Sequence, residues 1–311
     1  MTPRTRHASP ARLRLLACAL VLAVLMTGVA SASATADGAV SWTGRTVLVT
    51  GSTDGLGRDV ALALAARGAH VIVHGRNRER GAAVVARIAA DGRGSAEFIA
   101  ADFASLAAVD AFADQVLARA PRLDLLVNNA GIALPADAGR RTSADGHELQ
   151  FAVNYLAGWV LVHRLRPALA AAAPSRVLNV ASGSAHPIDF DDVMLARPDA
   201  HRRGYGQSKL AQITMTAALA PGFAEDGIAM IALHPATRMD TTMVRGLGAT
   251  PEASIAEGRD HVLALADAAT LQIGRYYRHG APATPHAQAG DRAAQQRLLA
   301  LSASLTGVGG D

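Results

Sequence analysis

The hydrophobic pattern alternates between two kinds of segment from Asp37 onward. Short apolar runs predict six strands, at Thr46–Val49, His70–His74, Glu97–Ala100, Leu123–Val127, Arg176–Val180 and Ile228–Leu233. Ala-rich segments with helical spacing lie between them, at Val60–Ala66, Gly81–Ala90, Val109–Ala118 and Leu156–Ala171. Short strands that alternate with helices are typical of a parallel sheet covered on both faces. The pattern predicts a single Rossmann-type, doubly wound α/β domain over residues 40–311.

The C-terminal part of the chain has a weaker pattern. A seventh strand is predicted near Arg275–Arg278, and an amphipathic helix over Asp291–Leu305. The segment Gly280–Gly290 contains two prolines and one histidine, and we expect it to be a surface loop.

The first 36 residues differ from the rest in composition. Arginines within Thr5–Arg14 precede the apolar run Leu15–Ala30, and the small residues Ser31–Ala36 follow. This order is typical of a secretory signal peptide. Two alternatives remain open, an uncleaved anchor in which the apolar run contacts a membrane, and a translation start near Met26. The leader favours an exported or membrane-anchored protein.

Net charge and cysteine content exclude several functions. Four of the 30 Lys and Arg residues lie in the leader, so the remaining 26 balance the 26 Asp and Glu residues. A neutral domain without a basic stripe does not predict binding to nucleic acid. The single cysteine, Cys18, lies in the leader. The domain therefore has no disulfide, no thiolate nucleophile and no cysteine metal site.

A glycine-rich segment directly follows the first predicted strand and leads into a helix. Glycine permits positive φ and a close approach of backbone N–H groups to a phosphate, and a helix N-terminus attracts an anion. The segment therefore predicts a dinucleotide cradle, although this glycine spacing alone also suits an ordinary turn. The predicted cofactor contacts are Gly51, Ser52, Thr53, Gly55, Leu56 and Gly57.

The end of the second predicted strand indicates which dinucleotide binds. An acidic residue there favours the ribose 2′-hydroxyl of NAD, whereas an arginine suits the 2′-phosphate of NADP. Arg76 occupies this position and no acid lies between Ala69 and Arg78, so we expect NADP(H) to be favoured over NAD(H). The alternative is that both arginines are simply solvated, and Asp54 in the glycine segment is an acidic group nearby. An NADP(H) requirement favours a cytoplasmic location, whereas the leader favours an exported or membrane-anchored protein.

A tyrosine and a lysine lie one helical turn apart, at Tyr205 and Lys209. The lysine charge, together with that of an oxidised nicotinamide, is expected to lower the pKa of the phenol, whose usual value is about 10. Tyr205 is thus the candidate proton-transfer group. A neutral donor for the substrate oxygen is expected at the end of the fifth strand, where Ser182 is preferred and Ser184 is the alternative.

These motifs together resemble the short-chain dehydrogenase/reductase family, and the resemblance covers residues 45 to about 245. The long spacing between Ser182 and Tyr205 and the ending Leu298–Gly307 are similar to the retinol-dehydrogenase and WW-domain-oxidoreductase branch. Ala236 departs from the usual glycine after Pro235. The ordered motifs that carry the resemblance are the glycine segment, Asp102, Asn128–Gly131, Asn154, Ser182, Tyr205 with Lys209, and His234–Thr237.

The resemblance implies roles for these residues. Asp102, with Phe103 beside it, would contact the adenine, and Asn129, Ala130 and Gly131 would line the cofactor. Asn154 would complete a proton relay with Tyr205, Lys209 and water, and Lys209 would also anchor the nicotinamide ribose. Pro235 and Thr237 would lie near the nicotinamide. Family members are often homo-oligomers.

The expected function is hydride transfer between NADP(H) and a small-molecule alcohol or carbonyl. Two alternatives stay open, an epimerase or dehydratase that retains its cofactor, and a non-catalytic NADP(H)-binding sensor. His147-Glu148 lacks the second histidine of a zinc motif, so no metal is expected. We expect Ala185–Arg203 and Asp240–Glu257 to form the substrate pocket, and their apolar residues favour a substrate with an apolar part, although they could simply cover the site.

Overall fold

The computed structural model describes residues 1–2 and 40–309. The chain divides into two units, Met1–Ser41 and Trp42–Asp311, and the helices and strands given below all lie in the second unit. The predicted leader, apart from its first two residues, lies outside the described residues. Within residues 40–309, the helices lack the length or the apolar character that crossing a membrane requires.

A mixed sheet of eight strands forms the centre of the described domain. Its order is β3-β2-β1-β4-β5-β6-β7-β8, with every neighbouring pair parallel except the last. Val47 pairs with Val71 on one side and with Leu125 on the other, so the chain reverses direction across the sheet between β1 and β4. Ligands of doubly wound folds bind at such a reversal, beyond the carboxyl ends of the strands. The strands are β1 Thr46–Val49, β2 His70–Gly75, β3 Ser95–Ala100, β4 Leu125–Asn128, β5 Ser175–Val180, β6 Ile228–His234, β7 Tyr276–Arg278 and β8 Ala281–Ala283.

Helices cover both faces of the sheet, and polar residues cap their N-termini. Asn77 caps α2 by accepting a hydrogen bond from the Arg80 amide, and Ser254 caps α9 in the same way from the Glu257 amide. The helices are α1 Gly55–Ala65, α2 Arg78–Asp91, α3 Leu106–Arg119, α4 Leu149–Phe151, α5 Ala157–Arg164, α6 Arg166–Ala171, α7 Gly204–Glu225, α8 Thr242–Gly246, α9 Ile255–Asp267 and α10 Arg292–Thr306. A π-helical turn, Ala152–Leu156, joins α4 to α5.

The core has two halves, one on each face of the sheet. Leu48 packs on one face with Phe112 and Trp159, whereas its neighbours Val47 and Val49 pack on the other. Alternate residues of a strand point to opposite faces, and both faces are apolar here because helices cover both. This arrangement is why the strands read as continuous apolar runs in the sequence.

The predicted α/β fold with a helix-flanked parallel sheet is confirmed, with small changes of strand ends. Two predictions for particular segments were wrong. The expected loop Gly280–Gly290 contains β8, whose Pro282 lies in the antiparallel edge strand, and a 3₁₀ turn at Ala287–Gly290. The expected helix Leu156–Ala171 is broken into the end of the π turn, α5 and α6, because a proline stands in the first turn of α6.

Candidate active site

The carboxyl ends of β1, β4, β5 and β6 border a cavity of 590 Å³. Ser52, Thr53, Arg76, Asp102, Phe103 and Asn154 do not line it. The predicted site residues that do are Gly51, Gly55, Leu56, Gly57, Asn129, Ala130, Gly131, Ser182, Tyr205, Lys209, Pro235 and Thr237. The fold thus brings most of the predicted cofactor and catalytic residues to one cavity.

At Gly51 and Gly57 the glycine segment passes so close to the residues after β4 that a side chain cannot be accommodated. A Cβ at Gly57 would lie 2.4 Å from Nδ2 of Asn129, and one at Gly51 would lie 2.8 Å from Cα of Ala130. Gly51 and Gly55 also have positive φ, of 64° and 52°. Asn129 holds this turn by donating from Nδ2 to the carbonyl of Thr50, at 2.8 Å.

The loop ends at Asp54, which caps α1. Its carboxylate accepts hydrogen bonds from the Gly55 amide and from the Thr242 hydroxyl, each at 2.8 Å. It also pairs with Arg80 at 3.5 Å. Asp54 therefore links the glycine segment to α8, which borders the same cavity 188 residues further along the chain.

Ser52, one of the predicted cofactor contacts, uses its polar groups within the fold. Its side chain is fully buried, and its hydroxyl donates to the Val49 carbonyl at 2.6 Å and accepts from the His74 amide at 3.0 Å. Its own amide donates to the His74 carbonyl at 2.8 Å. Because its polar groups hold β1 against β2, Ser52 has no group left for a phosphate. Thr53 lies beside Gly75 and borders a separate groove between α1 and α2.

The residues predicted to select the adenosine end of the cofactor lie beyond the cavity. Arg76 and Asp102 form an ion pair at 3.5 Å, with side chains 68% and 51% exposed. Phe103 is buried and stacks on His74, with ring centroids 4.0 Å apart. The Phe103 ring therefore belongs to the core, and a contact of Phe103 with the cofactor stays a prediction.

Tyr205 and Lys209 lie on successive turns of α7 and face the same cavity. Nζ of Lys209 is 5.7 Å from the centre of the Tyr205 ring. The Tyr205 hydroxyl shares a hydrogen bond with the Ser182 side chain. Ser184 also borders the cavity, but its amide donates to the Ser182 hydroxyl at 3.1 Å. This geometry places Ser182, rather than the alternative Ser184, against the phenol.

The expected lowering of the Tyr205 pKa is absent in this structure. Burial raises the pKa of Tyr205, and the hydrogen bond with Ser182 opposes that rise only in part. Burial also lowers the pKa of Lys209 to about 7. The spacing was correctly interpreted, but both groups lie deep in the protein, where desolvation disfavours the charged form of each.

Asn154 lies in the π-helical turn, fully enclosed between helix and loop. Its Oδ1 accepts from the Ile132 amide at 2.7 Å, and its Nδ2 donates to the Ile132 carbonyl at 3.0 Å. The same Nδ2 donates to the hydroxyl of Ser208 at 2.9 Å. Asn154 thus fixes the loop after β4 against the residue that precedes Lys209, and its part in a proton relay stays a prediction.

The segment after β6 forms another wall of the cavity. The carbonyl of Pro235 accepts a hydrogen bond from Nδ1 of His261 at 2.7 Å, and the hydroxyl of Thr237 lies 3.1 Å from Nε2 of His234. Ala236, the departure from glycine, is buried and does not take a positive φ, whereas Arg238 does, at 43°. The alanine is accommodated because the turn places its left-handed residue two positions later.

The two segments expected to form the substrate pocket differ in their relation to the cavity. In the segment Ala185–Arg203, the residues Ile188, Val193 and Leu195 are buried in the core, and no residue of the segment lines the cavity. The other segment supplies Met243 and Leu247 to the cavity wall. The long insert before Tyr205 thus packs on the core through these three apolar residues, whereas most of its other residues are half-buried or exposed.

Three residues with direct contacts to this machinery were missed. Gln212 accepts a hydrogen bond from Lys209, three positions earlier on the same helix face, and that spacing was a usable signal. His74 accepts from the Gly51 amide at 3.0 Å, but its place inside an apolar strand concealed it. Thr242 had no sequence signal. Across residues 40–309, no cluster of His, Cys, Asp or Glu could hold a metal ion.

Comparison with known proteins gives a consistent family. A family model described as short chain dehydrogenase matches residues 45–252. Over 203 residues the chain is 38% identical to dehydrogenase/reductase SDR family member 13 of Bos taurus, which covers 64% of this chain and 52% of that protein. The chain therefore matches about half the length of this relative.

Two further similarities extend over more of the chain. Over 288 residues it is 33% identical to retinol dehydrogenase 13 of Mus musculus, covering 85% of this chain and 84% of the relative. Among solved structures, it resembles a 3-oxoacyl (acyl-carrier-protein) reductase of Agrobacterium tumefaciens with NADP bound. That similarity has a TM-score of 0.63 and 28% identity, and covers 78% of this chain and 95% of the other.

Proposed function

The chain belongs to the short-chain dehydrogenase/reductase family, and from that premise we propose that it is an NADP(H)-dependent oxidoreductase acting on an alcohol or carbonyl with an apolar part. The observation that carries the proposal is the joint placement of Ser182, Tyr205 and Lys209. The three side chains border the cavity that also contains the glycine segment. A binding module needs no acid–base group there, whereas a dehydrogenase does.

The cofactor would lie along the glycine segment. The positive φ of Gly51 and Gly55 fits the close approach of a pyrophosphate, and the absence of a Cβ at Gly57 lets the turn close against Asn129. Arg76 supports NADP(H) over NAD(H), because an exposed guanidinium at this strand end suits a 2′-phosphate. When bound, the reduced nicotinamide supplies a hydride to the carbonyl carbon.

Side chains of the protein would carry out the proton transfer. Ser182 would donate a hydrogen bond to the substrate oxygen and orient it, since its hydroxyl already contacts Tyr205. Tyr205 would donate its phenolic proton to that oxygen as the alcohol forms. Its raised pKa keeps the phenol protonated near neutral pH, as carbonyl reduction requires. Lys209 would stabilise the resulting phenolate and hold the nicotinamide ribose.

The substrate side of the cavity favours an apolar molecule. Leu134, Met239, Met243 and Leu247 line it beside Tyr205. Met and Leu side chains offer adaptable apolar contact and few hydrogen bonds. The similarity to a retinol dehydrogenase supports the same inference, because retinol is an apolar alcohol. We therefore propose a mostly hydrocarbon alcohol or aldehyde as the substrate class.

The test is NADPH consumption with aliphatic aldehydes of increasing length, compared between the wild-type chain and Tyr205→Phe. We expect turnover that improves with chain length, and a loss of about 10² to 10⁴-fold in kcat/KM in the variant. Cofactor binding should persist, since the ring remains. Tyr276→Phe is the matched control, because Tyr276 is also buried but lies in β7 outside the cavity lining.

The alternatives give different results in the same experiment. An epimerase or dehydratase would convert substrate without net NADPH consumption. A sensor would bind NADPH tightly and show no turnover, with Tyr205→Phe indistinguishable from the wild type. Preference for small polar aldehydes would contradict the apolar substrate class.

A further inference from the structure

Lys209 is the only lysine among the 311 residues of the chain, since every other basic side chain apart from histidine is arginine. Its ammonium is buried, with 4% of the residue exposed. An ammonium has three N–H donors. Two of them meet oxygen acceptors, the carbonyl of Val180 at 2.8 Å and Oε1 of Gln212 at 2.9 Å. Both acceptors are formally neutral, so hydrogen bonding rather than an ion pair holds this charge.

The main chain of Gln212 is tied to the sheet by buried hydrogen bonds. Its backbone carbonyl accepts from the hydroxyl of Thr216 at 2.7 Å. Nδ2 of Asn179 donates to that hydroxyl at 2.9 Å, and Oδ1 of Asn179 accepts from Asn128 at 2.9 Å. These contacts connect α7 to β5 and β4 and fix the backbone from which the Gln212 side chain reaches Lys209.

The position of Nζ follows from these contacts. With Val180 and Gln212 on two sides, the remaining N–H faces the cavity, where the Tyr205 ring lies. Tyr205 is the titratable group that faces Nζ from α7. The groups near it from β5 and from the π turn, the Val180 carbonyl and the Asn154 amide, are neutral. Gln212 is therefore the side-chain acceptor of the ammonium on the side away from the cavity.

We propose that Gln212 is a positioning residue that holds the Lys209 ammonium charged and turned toward Tyr205. This inference rests on the proposed function, in which that ammonium supports proton transfer by Tyr205. Gln212 acts through Lys209 and does not border the cavity. Removing its oxygen would leave a buried ammonium with one acceptor fewer, which favours the neutral amine.

The single lysine permits a direct test that needs no turnover. In protein labelled with [6-¹³C]lysine, the one side-chain resonance reports the protonation of Lys209, whose pKa burial lowers to about 7. We expect Gln212→Leu to move the titration midpoint down by about one pH unit, because an acceptor is lost. Gln212→Glu should move it up by at least as much, because a carboxylate replaces the amide at nearly the same shape.

Gln207→Leu is the matched control. Gln207 lies on the same helix and is as buried, but its amide bonds Asp189 and Val193 rather than Lys209. The midpoint in this variant should stay at the wild-type value. Gln212→Glu keeps the proposal testable if the leucine variant fails to fold.

The pH profile of kcat separates this inference from the proposed function. If the Lys209 midpoint shifts in opposite directions in the two Gln212 variants and the alkaline limb of kcat follows, the positioning role is supported. Midpoints equal to the wild type in both variants would overturn it, even while Tyr205→Phe still abolishes turnover. Shifted midpoints in a protein without turnover would refute the proposed function, and with it a catalytic purpose for Gln212.

Discussion

Arg76 and Asp102 neutralise each other in part before any ligand arrives. Their ion pair spans 3.5 Å at the surface, and exposed pairs of this kind contribute little to stability. A 2′-phosphate carries more negative charge than a carboxylate and offers more acceptor oxygens, so it should displace Asp102 from the guanidinium. Arg76 would thus contribute to cofactor selection rather than to stability.

Arg76→Ala should weaken NADPH binding by about 10- to 100-fold while changing NADH binding little, because one charge-assisted hydrogen-bond partner is lost. Arg78→Ala is the matched control, since it is an exposed arginine two positions away at the start of α2. Fluorescence titration of the reduced nicotinamide measures the six affinities, of the wild type and the two variants for NADPH and NADH. Equal losses for NADPH and NADH would show that Arg76 does not read the 2′-phosphate.

At the scale of elements, His74 connects β2 to the glycine segment. Its Nδ1 accepts from the Gly51 amide at 3.0 Å, and its Nε2 lies 3.3 Å from the carbonyl of Ala101. The ring also stacks on Phe103. This hydrogen-bond pattern requires the neutral ring with its proton on Nε2, because a protonated Nδ1 cannot accept. Burial accordingly lowers the pKa of His74 to about 4.

The lowered pKa predicts acid sensitivity. The unfolded chain protonates this histidine near pH 6.5 and the folded protein only near 4, so stability is complete above about pH 6.5 and falls as the pH drops toward 4. By pH 5 the loss from His74 should reach about 2 kcal/mol. Urea unfolding at several pH values measures it. His74→Gln should remove the contribution of His74 to the fall of the unfolding free energy with pH. His286→Gln, in an exposed loop, should leave that pH dependence unchanged.

A His74→Gln variant whose unfolding free energy falls with decreasing pH as steeply as that of the wild type would contradict this account. Some slope must remain in it, because burial and the nearby His279, Arg278 and His261 also lower the pKa of His234, again to about 4. The same titration should weaken NADPH binding in acid before global unfolding, since Gly51 loses its anchor.

Sequence patterns located the elements well and their interruptions poorly. Apolar runs identified β1, β2, β4, β5 and β6 because both faces of these strands are buried, and the edge strand β3 still carries an apolar run although it is mostly half-buried. The three-residue β8 at Ala281–Ala283 has no such run, since it is an exposed edge strand. The glycine and Tyr205 motifs placed the cavity correctly. Burial could not be read from spacing, which is why the enclosure of the Ser52 side chain, the core position of the Phe103 ring and the raised pKa of Tyr205 were not predicted.

At the scale of the whole domain, Asp267 joins distant parts of the chain. Its carboxylate accepts from Nε1 of the buried Trp42 at 2.9 Å and from Arg67 at 2.5 Å. Trp42 and Arg67 flank β1 and α1, whereas Asp267 ends α9. One carboxylate thus links the end of α9 to the residues that flank β1 and α1, on the same face of the sheet.

Asp267→Ala should lower the free energy of unfolding by about 2 to 4 kcal/mol, because it leaves an indole N–H and a guanidinium without their acceptor. Differential scanning calorimetry measures the change. Asp91→Ala is the control, since its pair with Arg93 is exposed and should contribute nothing measurable. Equal Tm values for the two variants would show that Asp267 is not a structural link.

The predicted secretory leader over residues 1–36 and the predicted homo-oligomer stay predictions. Whether the domain meets the cytoplasmic NADP(H) pool depends on that leader. The proposed chemistry does not depend on it, because the residues proposed to carry it all lie between Gly51 and Thr237.

The most direct test of the proposed hydride transfer uses NADPH deuterated at the transferring position of the nicotinamide. The protein is incubated with a long-chain aldehyde, and the alcohol product is examined by mass spectrometry. The account predicts one deuterium on the carbinol carbon with the wild-type chain, and little labelled product with Tyr205→Phe. Alcohol without deuterium, or substrate conversion with the label retained on the nucleotide, would contradict it.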